Sequence, residues 1–217
     1  MPIPVVTLPD RGQIQTFPRR NGIYDTEAYN DAVAVPAKLT LFQNFTAFQV
    51  ANISLTKTFG RDTNMNGPGG SLAKGDYMHW YAINLPFSAR GANLTTSANA
   101  VVFEEIARLR MLLWFTFRFG ETPFVRCQAD EVPQGVGVPR VMTTHPTTTV
   151  FAVENTKCDR DAYYDVTTNG WPTEITDLET FGVDLETTTA APAAFTPTVE
   201  LFPSCYLQGT WLKGIRG

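Results

Sequence analysis

Met111-Leu112-Leu113-Trp114-Phe115-Thr116-Phe117-Arg118-Phe119 sets Leu113, Phe115, Phe117 and Phe119 against Leu112, Trp114, Thr116 and Arg118. Successive side chains of a strand point to opposite faces, so this run reads as a strand with its aromatic face in a core. The apolar Leu112 and Trp114 predict that the other face is partly covered too. Just before it, Asn99 to Arg108 carries Val102, Ile106 and Leu109 at helical spacing. Ser97 or Asn99 stands as cap and Glu104 and Glu105 lie in the first two turns, which predicts one short helix.

Outward from this pair, strand signals recur. Lys38–Thr46 alternates, interrupted by Phe42, and Val50–Thr58 places Ile53 and Leu55 together. Tyr77–Phe87 puts His79, Tyr81, Ile83, Leu85 and Phe87 on one face. Val150–Val153 and Thr176–Leu185 follow, the latter with Leu178 out of phase. Val199–Leu212 ends the series, with Pro203 predicting a bulge or an edge. Between them lie turn-rich stretches: Gly60–Gly70, Pro133–Pro139, an acidic loop over 154–176, and an Ala/Thr/Pro crossing over 187–198. Residues 1–22 hold four prolines and two glycines, which predicts an extended arm unable to form regular ladders. About eight strands, long connections and one helix in a loop predict an all-β chain. The arm 1–22 would precede a single domain over 23–217, an eight-stranded jelly roll of the β-sandwich or barrel kind.

Composition narrows the function. Of the 217 residues 43% are hydrophobic and only 18% charged, where about a quarter is usual, which leaves surface for neutral contacts with partners. The formal charge is −4, with nine acids against Lys157 and Arg160 in residues 154–186, a local net of −7. Nucleic-acid recognition needs clustered bases, and Arg19–Arg20 is the longest run. Cys127, Cys158 and Cys205 form no CxxC and read as free thiols in a reducing compartment. The start, Met1-Pro2-Ile3-Pro4, lacks the pattern of a signal peptide, and no apolar stretch is long enough to span a bilayer as a helix. The sequons at Asn44, Asn52 and Asn93 read as products of an Asn/Thr-rich composition.

A search for chemistry yields little. The two histidines, His79 and His145, have no metal-binding spacing; His79 reads as packed in a strand and His145 as solvated in a loop. Gly67-Pro68-Gly69-Gly70 lacks the Lys-Ser/Thr of a phosphate cradle and reads as a turn. Asp159-Arg160-Asp161-Ala162-Tyr163-Tyr164-Asp165 offers oxygen ligands but not the calcium-loop glycine and glutamate. Trp171 and Trp211 are the tryptophans open to a sugar-binding role, since Trp80 and Trp114 fit strand cores. No catalytic, cofactor or metal residue is assigned, and the expectation is a protein that is not an enzyme.

The layout resembles a family. A Pro-rich arm, a Thr63-Asn64-Met65 loop with a Gly-rich tail and a strand at Tyr77–Leu85 come first. A short helix, Leu112–Gly120, Pro123-Phe124 and Val132-Pro133-Gln134-Gly135-Val136-Gly137 follow, and the end carries Leu207-Gln208-Gly209 and Ile215-Arg216-Gly217. This is similar to the small jelly-roll capsid proteins of tailless icosahedral bacteriophages. The resemblance implies a structural virion protein, the major capsid protein, assembled in the host cytoplasm through capsomers into an icosahedral shell. Its partners would be its own copies and other capsid proteins, with an internal membrane or the packaged genome at the inner face. A virion decoration or spike protein, or a carbohydrate-binding β-sandwich, is the alternative.

Overall fold

Which of these segments keep their alternation depends on the partners they find. The computed structural model describes residues 5–8, 12–19, 22–67, 69–90, 99–133, 143–145, 148–152, 164–165, 174–187 and 195–214. Fourteen strands and one helix occur among them. The first eight strands are β1 (Val5–Leu8), β2 (Gly12–Arg19), β3 (Ile23–Thr26), β4 (Lys38–Leu41), β5 (Tyr77–Asn84), β6 (Phe87–Arg90), β7 (Leu113–Phe119) and β8 (Thr122–Gln128). The helix, α1 (Asn99–Leu112), falls between β6 and β7. Then come β9 (Thr143–His145), β10 (Thr148–Ala152), β11 (Tyr164–Asp165), β12 (Glu174–Thr176), β13 (Phe181–Thr187) and β14 (Glu200–Gly214).

Fifteen residues long, β14 is the axis of an eight-stranded sheet. On one edge it pairs residues 200–203 with β6 and 206–212 with β5. On the other it pairs 204–207 with β3 and 211–214 with β2. The far edge of β5 carries β11 and β12, and β1 forms a hairpin with β2. A second sheet has the order β4-β13-β7-β8, and β9 and β10 pair separately. All these pairings are antiparallel, and four of those in the two large sheets are nested. Strand β3 meets β14, β4 meets β13, β5 meets β12, and β7 meets β8.

The two sheets face each other across one core, giving a β-sandwich-like fold. Leu39, Leu41, Phe115, Phe117, Val183 and Leu185 come from the four-stranded sheet. They meet Ile23, Met78, Trp80, Ile83, Cys205 and Leu207 from the other, with Trp80 and Phe117 ring centroids 4.8 Å apart. Helix α1 adds Val102, Ile106 and Leu109 to this core, the stripe its spacing predicts. Two buried charges dock it. The Glu105 carboxylate accepts the Thr198 amide at 3.0 Å, and the Arg110 guanidinium donates to the Leu85 and Val132 carbonyls at 2.7 and 2.6 Å.

Several expectations are corrected. Where the sequence predicts about eight strands, fourteen occur among the described residues: β2, β6 and β11 take up edge of β14 and β5 left by their other partners, β1 adds to β2, and β9 and β10 pair with each other. Residues 1–22, read as an extended arm, contain β1 and β2, and β2 continues the large sheet. Pro18 is opposite Leu212 of β14 and, among the described residues, has no partner on its other edge, where a missing N–H is tolerated. The helix runs to Leu112, so the aromatic strand begins two residues later than Met111.

Lys38–Thr46 stops as a strand at Leu41, because Phe42 adopts φ 70°. That left-handed backbone is rare for a bulky residue. Asp25 Oδ2 accepts the Phe42 amide at 2.7 Å, Gly70 donates to its carbonyl at 2.6 Å, and its buried ring packs on Phe181. Val50–Thr58 forms no strand and is part of a long connection over 42–76. Residues 154–176 are not all loop, since β11 and β12 lie within them; 153–163 and 166–173 fall outside the described residues.

Tyr77–Phe87 has the right face at one end only. A bulge opposite Gln208/Gly209 leaves Tyr81 as the extra residue of β5, and an extra residue exchanges the two faces. Met78 and Trp80 therefore point inward before it, and Ile83 and Leu85 after it, while His79 and Tyr81 are exposed. Pro203 marks neither the bulge nor an edge. It lies within the ladder, and its carbonyl accepts the Glu27 amide at 3.0 Å.

Candidate functional site

The residues singled out in the sequence do not converge. His79 is exposed on β5 opposite Glu174, not packed, and His145 lies in β9 opposite Thr148, not in a loop. Trp211 is 1% exposed, with its indole N–H 3.2 Å from Asp76 Oδ2, so it cannot line a sugar site; Trp171 falls outside the described residues. In the run 159–165 only the backbone of Tyr164 and Asp165 is described, paired with Ile83 and Ala82. Among the described residues no three His, Cys, Asp or Glu side chains are grouped to hold a metal ion.

Other candidates acquire structural roles. Gly70 has φ 77° and ties two strand ends, donating to Phe42 and accepting from Phe181. Asn44 Oδ1 accepts from the amides of Thr46 and Ala47, an Asx turn, and the Asn52 carbonyl accepts from Asn30. Asn93 and Cys158 fall outside the described residues. Cys127 and Cys205 are free and buried, and burial pushes the Cys127 thiol up to about 11. Part of the acidic stretch is neutralised within the chain. Asp184 accepts from Thr40, Lys38 and Arg118 at 2.8, 2.8 and 3.1 Å, and Glu186 reaches Lys38 at 3.4 Å.

Two constellations escaped the sequence reading. The first lies under the 42–76 connection. Ile23-Tyr24-Asp25-Thr26-Glu27 alternates, so Asp25 of β3 and Glu27, one residue past its end, face inward with Ile23. The Lys57 ammonium sits 2.9 Å from Asp25 and 2.8 Å from Glu27, with all three side chains fully buried. Lys57 also donates to the Asn44 carbonyl at 2.5 Å, and Glu27 accepts the Gln49 amide at 2.9 Å. Two carboxylates share one cation, so burial outweighs Lys57 and pushes Glu27 up to about 7; Asp25 is also raised, by burial. The same connection closes the free edge of β3: Asn64 accepts from the Tyr24 amide at 2.9 Å and donates to the Gly22 carbonyl at 2.9 Å.

The second is a cleft of about 560 Å³ on the outer face of the large sheet, between β3, β14, β5 and β6. Cys205 and Leu207 face the core, so Ser204, Tyr206 and Gln208 face outward. The Tyr24 and Tyr206 rings stack there at 5.0 Å with 21° between planes, and the Tyr24 hydroxyl donates to the Gly60 carbonyl at 2.6 Å. Gln208 donates to Asn84 at 3.0 Å, while the Ser204 hydroxyl is 2.8 Å from that of Thr26. At the rim, Arg90 donates to Asp62 at 2.6 Å and to Ser88 at 3.2 Å. Arg61 and the Thr58 amide also donate to Asp62; burial would raise this carboxyl, but Arg61, Thr58 and Arg90 together hold it below its usual range.

Comparison with family models, with curated proteins and with solved structures finds no match to this chain.

Proposed function

We propose that this chain is a structural virion protein, the major capsid protein of an icosahedral shell, folded as a single jelly roll. The observation that carries the reading is the nested pairing of β3 with β14, β4 with β13, β5 with β12 and β7 with β8. Folding a long antiparallel ribbon over itself gives this order, and jelly rolls of eight such strands are common in viral capsid proteins and lectins. Strands β1, β2, β6 and β11 then extend the edges of one sheet. The low charge fraction suits broad neutral contacts between copies. The chain would act without catalysis or cofactor. It would reside in the virion after assembly in the host cytoplasm, with an internal membrane or the genome against its inner face.

Negative-stain imaging and sedimentation of the purified chain test this reading. Closed particles of uniform diameter are expected. A species that remains monomeric at every concentration overturns the proposal.

A further inference from the structure

We infer that the Tyr24–Tyr206 cleft binds a neutral carbohydrate, with one pyranose ring lying against the tyrosine pair; the inference is independent of the shell reading. A cleft of about 560 Å³ is in the size range of small-ligand sites. A pyranose has an apolar C–H face and a rim of hydroxyls, and the cleft offers a counterpart to each. The two partly exposed rings line the cleft with apolar surface already fixed by their mutual stacking and by the hydrogen bond from Tyr24 to Gly60, so little ordering is left for the ligand to impose. Around them stand the half-buried Gln208 amide and Ser88 hydroxyl, groups that both donate and accept, with Asn84 and Ser204 buried behind them.

Charge decides between ligand classes. Among the described residues of the lining Arg90 is the cation, and it is held at 2.6 Å by Asp62, a carboxylate that Arg61 also reaches. An anionic ligand would have to compete with the buried Asp62 for the Arg90 guanidinium, and a cationic ligand would meet Arg90. A neutral polyhydroxyl compound leaves these ion pairs intact and incurs neither cost.

The test is a glycan array carrying neutral and sialylated oligosaccharides. Saturation-transfer NMR follows with free D-galactose, D-glucose and N-acetyl-D-glucosamine at roughly 10 mM, a range that detects millimolar affinity. At least one neutral glycan class should bind. Tyr206→Ala should weaken that binding about tenfold or more, Gln208→Ala should weaken it too, and Tyr206→Phe should retain it. Thermal melts of the variants check folding, and Gln208→Ala carries the test if Tyr206→Ala is unfolded. No neutral glycan bound, sialylated glycans alone bound, or binding unchanged in both alanine variants would overturn the inference. Imaging of the same variants keeps the two readings apart: particles without sugar binding sink only this inference, and sugar binding without particles sinks only the shell.

Discussion

At the residue scale, burial turns a few side chains into sensors of change. Glu27 has a folded pKa of about 7 against an ordinary 4.5. Between those values the folded chain holds a proton that the unfolded chain has lost, so stability falls as pH rises through this window, by roughly 3 kcal/mol from this group. Denaturant unfolding of wild type and Glu27→Gln from pH 4.5 to 8 should show a decline in the first that is flattened in the second. Equal slopes would remove the buried carboxylate as the cause. Lys57→Met leaves two buried carboxylates without their cation and should cost about 3–5 kcal/mol, more at pH 8 than at pH 5. Phe117, fully buried against Trp80, belongs to a packed interior; Phe117→Ala should cost about 3–5 kcal/mol in the same assay. An unfolding free energy equal to that of wild type would contradict that placement.

At the element scale, the 42–76 connection holds its position through polar ties rather than ladders. Its buried ionic cluster fastens one end to β3, Ser54 donates to the Glu200 carboxylate of β14, and Phe48 packs edge-on against Phe202 at 5.5 Å. The bulge in β5 is a second such device. A Cβ on Gly209 would fall 2.1 Å from the His79 carbonyl oxygen, so only glycine permits this approach of β14 to β5. Gly209→Ala should destabilise the chain by roughly 1–3 kcal/mol through backbone displacement. The ribbon of β1 and β2 is attached to the domain through the 211–214 end of β14. Deleting residues 2–20 should leave a folded domain that assembles poorly, read by circular dichroism and sedimentation; particles forming normally would exclude the ribbon from subunit contacts.

At the scale of the whole molecule, charge pairing bears on assembly. Arg90 and Arg126 reach Asp62 and Glu186 of their own chain, at 2.6 and 4.0 Å. Asp184 is likewise satisfied internally. With these charges already paired, contacts between copies should depend little on ionic attraction. Particles should therefore stay intact as salt rises and screens exposed charges beyond about 8 Å. Dissociation at high salt, followed by light scattering, would show that acidic and basic patches do meet between copies.

Periodicity by itself determined the all-β class, the helix stripe of Val102, Ile106 and Leu109, and the aromatic core face of Leu113, Phe115 and Phe117. Those features depend on local spacing, which a linear reading measures directly. Only the tertiary structure decided where alternation stops or changes face. The extra residue at Tyr81 reverses the inward set of β5 because the partner strand, distant in sequence, accommodates it at Gly209. Phe42 leaves the strand because Asp25 and Gly70 capture its backbone. The cleft and the buried ions were illegible for the same reason. Tyr24 and Tyr206, or Asp25 and Lys57, become neighbours through pairings between segments far apart in the chain, and no local pattern records such a meeting.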